Sequence, residues 1–357
     1  IMYADDANII VTGSDIEDVK AKISALLIKL LDWVNMNSLK LNVKKTHYMI
    51  FSNTHKSTNK EYNLNLKINN EPILQSHEER FLGVIMDDKL SWSAHRAAIS
   101  MRISRNAGVL FRARHMFKIP TLKTLYFSFI QSHLVYCSTI WGTGSKHSLR
   151  SIFVAQKKAI RAISFTRLFT KNKETEEYTY GHTKPLFSSL EILTIHNLIL
   201  LQLLSQMHKI YGHLAPAHTR SLFTAHQPPA SPPKYEILPI YNPALNRKAI
   251  VPANIIHPKR IDSVYFSIPT ARLAKHRKSL LYLGPLLYND ICNKVQEKMN
   301  EKYKIHRFTP KSFSLNMKKH ILAQQALGSS DEWDAINTPM YTTSTSTVIT
   351  RSQNTIQ

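Results

Sequence analysis

The first eleven residues of the chain, IMYADDANIIV, decide how its beginning folds. Two apolar runs, Ile1–Ala4 and Ala7–Val11, flank the acidic pair Asp5 and Asp6, which predicts a β-hairpin with both aspartates in its turn. Adjacent carboxylates repel each other and are costly between apolar strands unless a cation neutralises them. Because Mg²⁺ prefers carboxylate oxygens, the pair is a candidate metal site; a plain polar β-turn explains the same residues.

Beyond this hairpin, the pattern predicts one helix and then several strands. Apolar residues recur at helical spacing over Ile16–Val34, after a capping-box pattern at Ser14 and Glu17. Further strands are predicted at residues 47–52, 64–68 and 80–86. The order strand–strand–helix–strand–strand–strand predicts an α+β fold with an antiparallel sheet for residues 1–91.

The apolar periodicity becomes helical from Trp92 to Ile210, and the charge changes with it. Residues 1–90 carry 11 basic and 12 acidic side chains, whereas Lys89–Lys173 carries 16 Lys or Arg and no Asp or Glu. Charges of one sign repel each other unless a polyanion neutralises them, so the formal net charge of +23 indicates a nucleic-acid partner. The simpler alternative is a merely basic surface.

Composition narrows the possible classes of protein. A length of 357 residues is enough for two or three domains, and a hydrophobic content of 43% excludes wholesale disorder. The two cysteines, Cys137 and Cys292, exclude a disulfide scaffold and a Cys-rich zinc site. The most apolar segment, Ile192–Ile210, contains several polar side chains and is predicted to be a buried core helix, not a membrane span.

The last third of the chain is less regular. Residues 216–258 hold nine of the 16 prolines and are predicted to be a Pro-rich linker. Residues 259–328 are predicted to form a small C-terminal region of unknown role, with helices near 284–294 and 310–327. Residues 329–357 are predicted to be a disordered tail, because they are rich in Ser and Thr and have almost no apolar pattern.

Several motifs, taken in order, resemble the reverse transcriptase of non-LTR (LINE-like) retrotransposons of the jockey and chicken-repeat type. The hydrophobic-Tyr-Ala-Asp-Asp hairpin of that polymerase palm is matched by Met2–Asp6. The other matching positions are Leu39–Thr46, Phe81–Val84, Asp87, Leu90–Trp92, Leu125–Ser128, Tyr136–Gly142, Gln156, Lys157 and Arg161. The resemblance covers residues 1–210, extends more weakly to about 328, and implies a partial palm over 1–91 and an all-α thumb over 92–215.

The resemblance implies roles for individual residues of the palm. Asp5 and Asp6 match the metal-binding carboxylates, which in the complete enzyme hold two Mg²⁺ (or Mn²⁺) ions. Lys45 matches a lysine beside the nucleotide phosphates and is a candidate general acid, although without the motif it is an ordinary solvated lysine. The residues that match the primer grip are Tyr3, Phe81, Leu82 and Gly83.

The basic helices correspond in this resemblance to the polymerase thumb. We expect them to hold an RNA template paired with a DNA primer through phosphate contacts, with dNTP as the further partner in the complete enzyme. The candidate phosphate contacts are Arg102, Arg105, Arg112, Arg150, Lys157, Lys158 and Arg161. No membrane partner is expected, and the oligomeric state and the choice between nucleus and cytoplasm stay open.

The predicted function is therefore that of an RNA-directed DNA polymerase that uses two-metal nucleotidyl transfer. In that family another catalytic aspartate and the fingers precede the Asp-Asp hairpin, with which this chain begins. We therefore expect a truncated copy that has no polymerase activity by itself. The alternative is a non-catalytic, basic nucleic-acid-binding protein derived from such an element.

Overall fold

A computed structural model gives the fold as two compact units, Ile1–His95 and Arg96–Gln357. The residues it describes are 2–3, 6–51, 64–145, 147–165, 169–171, 178–180, 182–224, 240–242, 247–249, 266–269, 279–298 and 309–327. Helices and short strands occur together, which agrees with the α+β prediction. The predicted tail, residues 329–357, and most of the predicted linker lie outside the described residues.

A short hairpin begins the first unit. Strand β1 (Met2–Tyr3) pairs antiparallel with β2 (Asp6–Ala7), and Tyr3 lies opposite Asp6. The predicted hairpin is confirmed, but Asp6 belongs to its second strand and not to its turn, because Asp6 pairs with Tyr3 in this register. The second strand also ends earlier than predicted.

Helix α1 (Ile16–Met36) begins with a cap that differs from the predicted one. The N-cap is Asp15 and not Ser14, since the Asp15 carboxylate accepts a hydrogen bond from the Asp18 N–H at 2.9 Å. The Ser14 N–H donates in return to the Asp18 carboxylate at 3.2 Å. A carboxylate is favoured over a hydroxyl here because it also interacts with the positive end of the helix dipole.

A small apolar cluster forms the core of the first unit. Its buried members are Leu64, Leu66, Ile68 and Ile73. The residues packed against it are Ile16, Ile23, Leu27, Leu31, Leu41, Val43, Tyr48 and Ile50. The buried side of α1 thus packs against the alternating residues of the strand predicted at 64–68. This agrees with the helical periodicity of α1 and the two-residue periodicity of the strand.

The strands of the first unit form separate pairs in place of one antiparallel sheet. Strand β3 (His47–Tyr48) pairs in parallel with β6 (Leu74–Gln75), while β4 (Lys67–Ile68) pairs antiparallel with β5 (Glu71–Pro72). The prediction of an antiparallel sheet is therefore wrong for β3 and β6. The long connection between these two strands includes the β4–β5 hairpin, and a crossover of this length allows two strands to run in the same direction.

The third predicted strand, residues 80–86, is in fact a hairpin. Strand β7 (Glu78–Phe81) pairs antiparallel with β8 (Val84–Asp87). The turn consists of Leu82 and Gly83, whose φ angles are 45° and 83°. A two-residue turn of this hand needs positive φ at both positions, and leucine seldom adopts it, so the apolar run concealed the turn.

The carboxylate of Asp87 fixes the chain where it leaves this hairpin. It accepts hydrogen bonds from the Ser91 N–H at 3.0 Å and from the Trp92 N–H at 2.8 Å, and the residue is 7% exposed. Burial by itself raises the pKa of the Asp87 carboxyl, but these hydrogen bonds outweigh it, and the pKa lies below its ordinary value. The folded chain therefore favours the ionised group.

The second unit is built mainly from helices. Those described are α2 (Ser93–Ala113), α3 (Ile119–Tyr126), α4 (Ser132–Val135), α5 (Ser138–Trp141), α6 (Arg150–Ile163), α7 (Lys184–Ser189), α8 (Ile195–Tyr211), α9 (Ala217–Arg220), α10 (Leu280–Lys298) and α11 (Pro310–Leu327). Two antiparallel strand pairs accompany them, β9 (Phe169–Lys171) with β10 (Tyr178–Tyr180) and β11 (Ile240–Asn242) with β12 (Arg247–Ala249). Helix α2 buries Ile99, Ile103, Ala107 and Leu110, the face that the periodicity predicts.

Helix α8 is the centre of this unit, and α10 and α11 pack against it. It is buried along most of its length, as predicted for this apolar segment. No helix among the residues described is both long enough and apolar enough to cross a membrane.

A buried glutamine on α6 connects three parts of the helical unit. The Gln156 amide nitrogen donates to the Tyr126 hydroxyl at 2.8 Å and to the Leu193 carbonyl at 3.0 Å. Its amide oxygen accepts from the Ile195 N–H at 2.9 Å. Burial raises the pKa of the Tyr126 hydroxyl far above its ordinary value, so this group stays neutral. One side chain thereby joins α3, α6 and the first turn of α8.

A second amide attaches α11 to the beginning of α8. The Gln325 oxygen accepts hydrogen bonds from the Thr194 N–H at 3.2 Å and the Asn197 side-chain amide at 2.8 Å. The Gln325 nitrogen donates to the Ile192 carbonyl at 3.1 Å. Thr194 is also the N-cap of α8, so the end of α11 is bonded to the residues that start the central helix.

The far end of α8 is held by aromatic contacts. The buried His208 ring stacks on Phe313 with 3.9 Å between ring centroids, and its Nδ1 lies 2.8 Å from the Tyr288 hydroxyl. The Asn289 side chain bonds both the N–H and the carbonyl of Phe266. The described part of the predicted C-terminal region, residues 266–269, 279–298 and 309–327, therefore packs as part of the helical unit.

A π-helical segment, Phe127–Gln131, joins α3 to α4. Its wider winding breaks the ordinary hydrogen-bond ladder of an α-helix. The side-chain amide of Asn106 on α2 donates to the Phe129 carbonyl within this segment. This bond connects the irregular winding to the neighbouring helix.

The Asp87 contacts predict a pH-dependent effect of substitution. Asp87→Ala removes both hydrogen bonds and should lower the free energy of unfolding by about 2 kcal/mol at neutral pH. Because folding lowers this pKa, the contribution is present above the unfolded pKa of about 3.9 and is lost as the pH falls through the folded value. Urea unfolding at several pH values should show that the free energies of unfolding of the wild-type chain and of Asp87→Ala converge below about pH 4. A difference in free energy of unfolding that stays constant down to pH 2 would show that the ionised Asp87 carboxylate is not the stabilising group. Asp88→Ala serves as the control.

The Gln156 contacts predict a large loss of stability in an isosteric substitution. Gln156→Leu leaves the Tyr126 hydroxyl, the Leu193 carbonyl and the Ile195 N–H without this partner, at a cost of about 3 kcal/mol in the free energy of unfolding. Gln206→Leu, a half-buried change on α8, should cost less than about 1 kcal/mol. Chemical denaturation compares the two variants, and equal effects would show that the Gln156 hydrogen bonds do not stabilise the unit.

Candidate nucleic-acid interface

Helix α6 separates its apolar and basic side chains. Residues such as Ile152, Ala159 and Ile160 are buried. The four predicted basic residues of this helix are exposed or half-buried: Arg150, Lys157, Lys158 and Arg161. The helix therefore presents a cationic face without weakening its packing.

A cleft of about 510 Å³ lies between α2 and α6. The residues that line it are Ser100, Ser104, His147, Arg150, Ser151, Val154, Ala155 and Lys158. The lining has two permanent cations and three hydroxyl groups, and it contains no carboxylate. Arginine, lysine and serine are among the side chains that commonly contact nucleic-acid phosphates, so the lining matches a phosphate backbone.

The first turn of α6 contributes to the same cleft. The helix begins at Arg150, and its N-cap, Leu149, has no side-chain capping bond. The positive end of the helix dipole therefore lies next to Arg150 and Ser151, where it adds to the attraction of an anion.

Two neighbouring cations on α6 repel each other. The Lys157 ammonium lies 4.3 Å from the centroid of the Phe153 ring. Burial lowers the pKa of Lys157, and the charge of Arg161 lowers it further. A phosphate bound here would offset both effects.

The predicted arginines of α2 do not line this cleft. Arg102, Arg105 and Arg112 are exposed. Arg102 lies close enough to His133 to act on it, since burial first and the Arg102 charge second lower the pKa of His133. Of the seven predicted phosphate contacts, the cleft brings together Arg150 and Lys158.

The cleft also contains polar residues that the sequence prediction missed. They are Ser100, Ser104, His147 and Ser151. Serine hydroxyl groups carry no formal charge, so the charge pattern of the sequence does not reveal them. A helical projection places Ser100 and Ser104 on one face of α2, because they are four residues apart, but it does not bring them together with Ser151 of α6.

The residues predicted for the palm chemistry lie in the first unit. Asp6 is exposed on β2, and Tyr3 opposite it is 66% exposed. Asp5 lies outside the described residues. Lys45 ends a single 3₁₀ turn, Val43–Lys45, where its side chain is exposed and its N–H donates to the Asn42 side chain at 3.3 Å.

Three of the four predicted primer-grip residues, Phe81, Leu82 and Gly83, lie in the β7–β8 hairpin, whereas the fourth, Tyr3, lies on β1. Phe81 ends β7 opposite Val84, Leu82 is half-buried, and Gly83 is exposed. The side chain of Phe81 is also half-buried. The hairpin thus presents its turn to the surface, a position that suits contact with a ligand.

The two metal ions implied by the resemblance would need several carboxylate ligands close together. Within the described ranges, no group of three or more His, Cys, Asp or Glu side chains is placed to hold an ion. Asp6 supplies one exposed carboxylate. The described residues therefore do not by themselves form the donor set of a two-metal site.

Comparison with known proteins gives three relatives at low identity. The chain is 22% identical over 178 residues to the RNA-directed DNA polymerase from mobile element jockey of Drosophila funebris, and 22% over 178 residues to that of Drosophila melanogaster. It is 21% identical over 173 residues to the probable RNA-directed DNA polymerase from transposon X-element of Drosophila melanogaster. Over about half of its length the chain is therefore similar to RNA-directed DNA polymerases of mobile elements.

The similarity to these reverse transcriptases is partial. The aligned segments cover 48–49% of this chain and 18–19% of each relative, so the match spans about a fifth of their length. The family resemblance predicted from the motifs is confirmed. No protein-family model and no solved structure matches the chain significantly.

Proposed function

We propose that the helical unit is the nucleic-acid-binding thumb of an RNA-directed DNA polymerase, and that residues 1–91 belong to its palm. The relatives support this proposal through their names, and the α2–α6 cleft supports it through its chemistry. The observation that carries it is a cleft whose lining combines cations and hydroxyl groups and lacks carboxylates. Such a lining favours a polyanion over a neutral or cationic ligand.

The proposed ligand of the cleft is the backbone of an RNA–DNA hybrid. Arg150 and Lys158 would contact phosphates, and the serine hydroxyls would donate hydrogen bonds to phosphate oxygens. A thumb has to accept any sequence, and phosphate contacts provide affinity without reading bases. The exposed Arg102, Arg105 and Arg112 would add to the long-range attraction, and Lys157 and Arg161 would contact phosphates at the edge of α6.

The palm residues have a more restricted place in the proposal. In the complete enzyme Asp5 and Asp6 would belong to the site for two Mg²⁺ or Mn²⁺ ions, which stabilise the attacking and leaving oxygens of nucleotidyl transfer. Lys45 would lie near the dNTP phosphates, and Tyr3 with the hairpin residues 81–83 near the primer end. Because the described residues do not complete this donor set, we assign no catalytic step to them.

A non-catalytic nucleic-acid-binding protein is the second candidate. It is favoured by the basic cleft, because a lining of cations and hydroxyl groups can bind a nucleic acid whether or not the palm catalyses polymerisation. The two candidates share the cleft and differ in whether the palm catalyses polymerisation.

Salt dependence of hybrid binding tests the role of the cleft. The affinity of the chain for a labelled RNA–DNA hybrid should fall steeply between 50 and 200 mM salt, with a logarithmic slope of about 0.9 for each phosphate contact. Arg150→Gln and Lys158→Gln should each weaken binding and reduce this slope by about 1, because each removes one such contact. Fluorescence anisotropy measures both quantities.

The control for this test is an exposed lysine on another helix, Lys209 of α8. Lys209→Gln changes the net charge by the same amount and should leave the slope almost unchanged. If Lys158→Gln and Lys209→Gln change the affinity and the slope equally, the cleft is not a specific binding site but part of a diffuse basic surface. Salt-independent binding would exclude the proposed phosphate contacts.

Primer extension distinguishes the two candidate functions. We expect the chain alone to add no nucleotides to a DNA primer on an RNA template in the presence of Mg²⁺ or Mn²⁺. Extension that Asp5→Ala abolishes would show that this chain is itself a polymerase and would contradict the expectation.

A further inference from the structure

A second concave surface of the helical unit lies where α2 ends and α3 begins. It has a volume of about 620 Å³ and is lined by Arg114, His115, Met116, Phe117, Lys118, Ile119, Pro120 and Phe165. We call this surface the basic–aromatic notch. It shares no residue with the α2–α6 cleft.

One cation of the notch, Arg114, lies beside two aromatic rings. The Arg114 guanidinium carbon lies 4.0 Å from the centroid of the Phe111 ring and 5.9 Å from that of Phe165. The Arg114 Nε–H donates to Nε2 of His115 at 3.2 Å, which orients the guanidinium plane. A planar cation held in this way can stack on another flat ring and attract an anion at the same time.

The rings of the notch are accessible. Phe117 is 42% exposed and Phe165 is 46% exposed. Phe165 also has a φ of 54°, a backbone conformation that is unfavourable for phenylalanine. The fold therefore holds an aromatic ring at the surface in a position that its own backbone does not favour, with the His115 ring at 6.3 Å in edge contact.

We propose that the basic–aromatic notch binds unpaired nucleotides of RNA or DNA. Bases would stack on Phe165 and Phe117, and phosphates would lie near Arg114 and Lys118. Grooves that bind single strands combine cations along the backbone with aromatic side chains under the bases. This proposal rests on the proposed function, because it assigns to the same helical unit a second site for the part of a nucleic acid that is not paired.

Two properties of the notch favour this ligand over others. A duplex hides the faces of its bases inside the stack, so it cannot use the exposed rings. An acidic peptide would satisfy Arg114 and Lys118 but would not need flat apolar surfaces beside them. The volume lies in the range of about 300–1,000 Å³ that accepts drug-sized ligands, the size class of one or two nucleotides.

The test compares two single strands of equal charge. One is an oligothymidylate of about 12 nucleotides, and the other is an abasic oligomer of the same length. The wild-type chain should bind the oligothymidylate about tenfold more tightly, because stacking requires bases. Phe165→Ala should remove most of this preference, and Phe165→Trp should preserve it, which separates loss of the ring from damage to the fold.

The matched control is Phe129, which is 45% exposed in the π-helical segment outside the notch. Phe129→Ala should leave the preference for bases intact. Equal affinity of the wild-type chain for the two oligomers, or an unchanged preference in Phe165→Ala, would overturn the proposal. Polyglutamate that competes as well as oligothymidylate would also overturn it, in favour of an acidic protein partner.

A blunt RNA–DNA hybrid separates failure of this proposal from failure of the proposed function. Arg150→Gln and Lys158→Gln should weaken binding of the hybrid. Phe165→Ala should instead weaken binding of the single-stranded oligothymidylate. Salt-dependent hybrid binding without any preference for bases would overturn the notch alone. Absence of binding to hybrid and to single strands would overturn both proposals.

Discussion

The helical unit depends on one buried amide group, that of Gln156. Apolar contacts are not directional, so packing by itself allows helices to slide or rotate slightly against each other. The Gln156 amide removes this freedom, since it donates to α3 and to the segment before α8 and accepts from the first turn of α8. A buried amide is costly unless such partners are in place, so the packing has to satisfy all three hydrogen bonds together.

This constraint also determines where the charges of α6 lie. On a helix the positions near 154 and 158 lie opposite 156, so the buried amide fixes the direction in which Val154 and Lys158 point. Both residues line the α2–α6 cleft. The core of the unit and the lining of the proposed interface are therefore two sides of one helix. The motif glutamine of the family resemblance has a structural role in this chain, whereas the neighbouring Lys158 is exposed.

The sequence predicted those features that a repeating apolar pattern encodes. It located α1, the buried face of α2 and the helix at 310–327, because each buries one regular stripe of side chains, and it located α8 because that segment is the most apolar of the chain. It failed where a local backbone choice decides the outcome. The Leu82-Gly83 turn was missed because leucine rarely adopts positive φ, and the cap at Asp15 because its neighbour Ser14 is an equally common capping residue. The serines of the cleft come from two helices, and only the packing of those helices shows that they share a surface.

The π-helical segment between α3 and α4 makes the fold sensitive to the number of residues in this part of the chain. An extra residue in a helical turn rotates everything after it by about 100°, so the side chains beyond residue 131 face a direction that an uninterrupted α-helix would not give them. Leu134, which is fully buried, depends on this rotation, and Asn106 on α2 bonds the carbonyl of Phe129 where the winding changes. This stretch should accept many exchanges of one apolar residue for another, but a relative that has lost or gained a single residue here must have repacked the end of its helix.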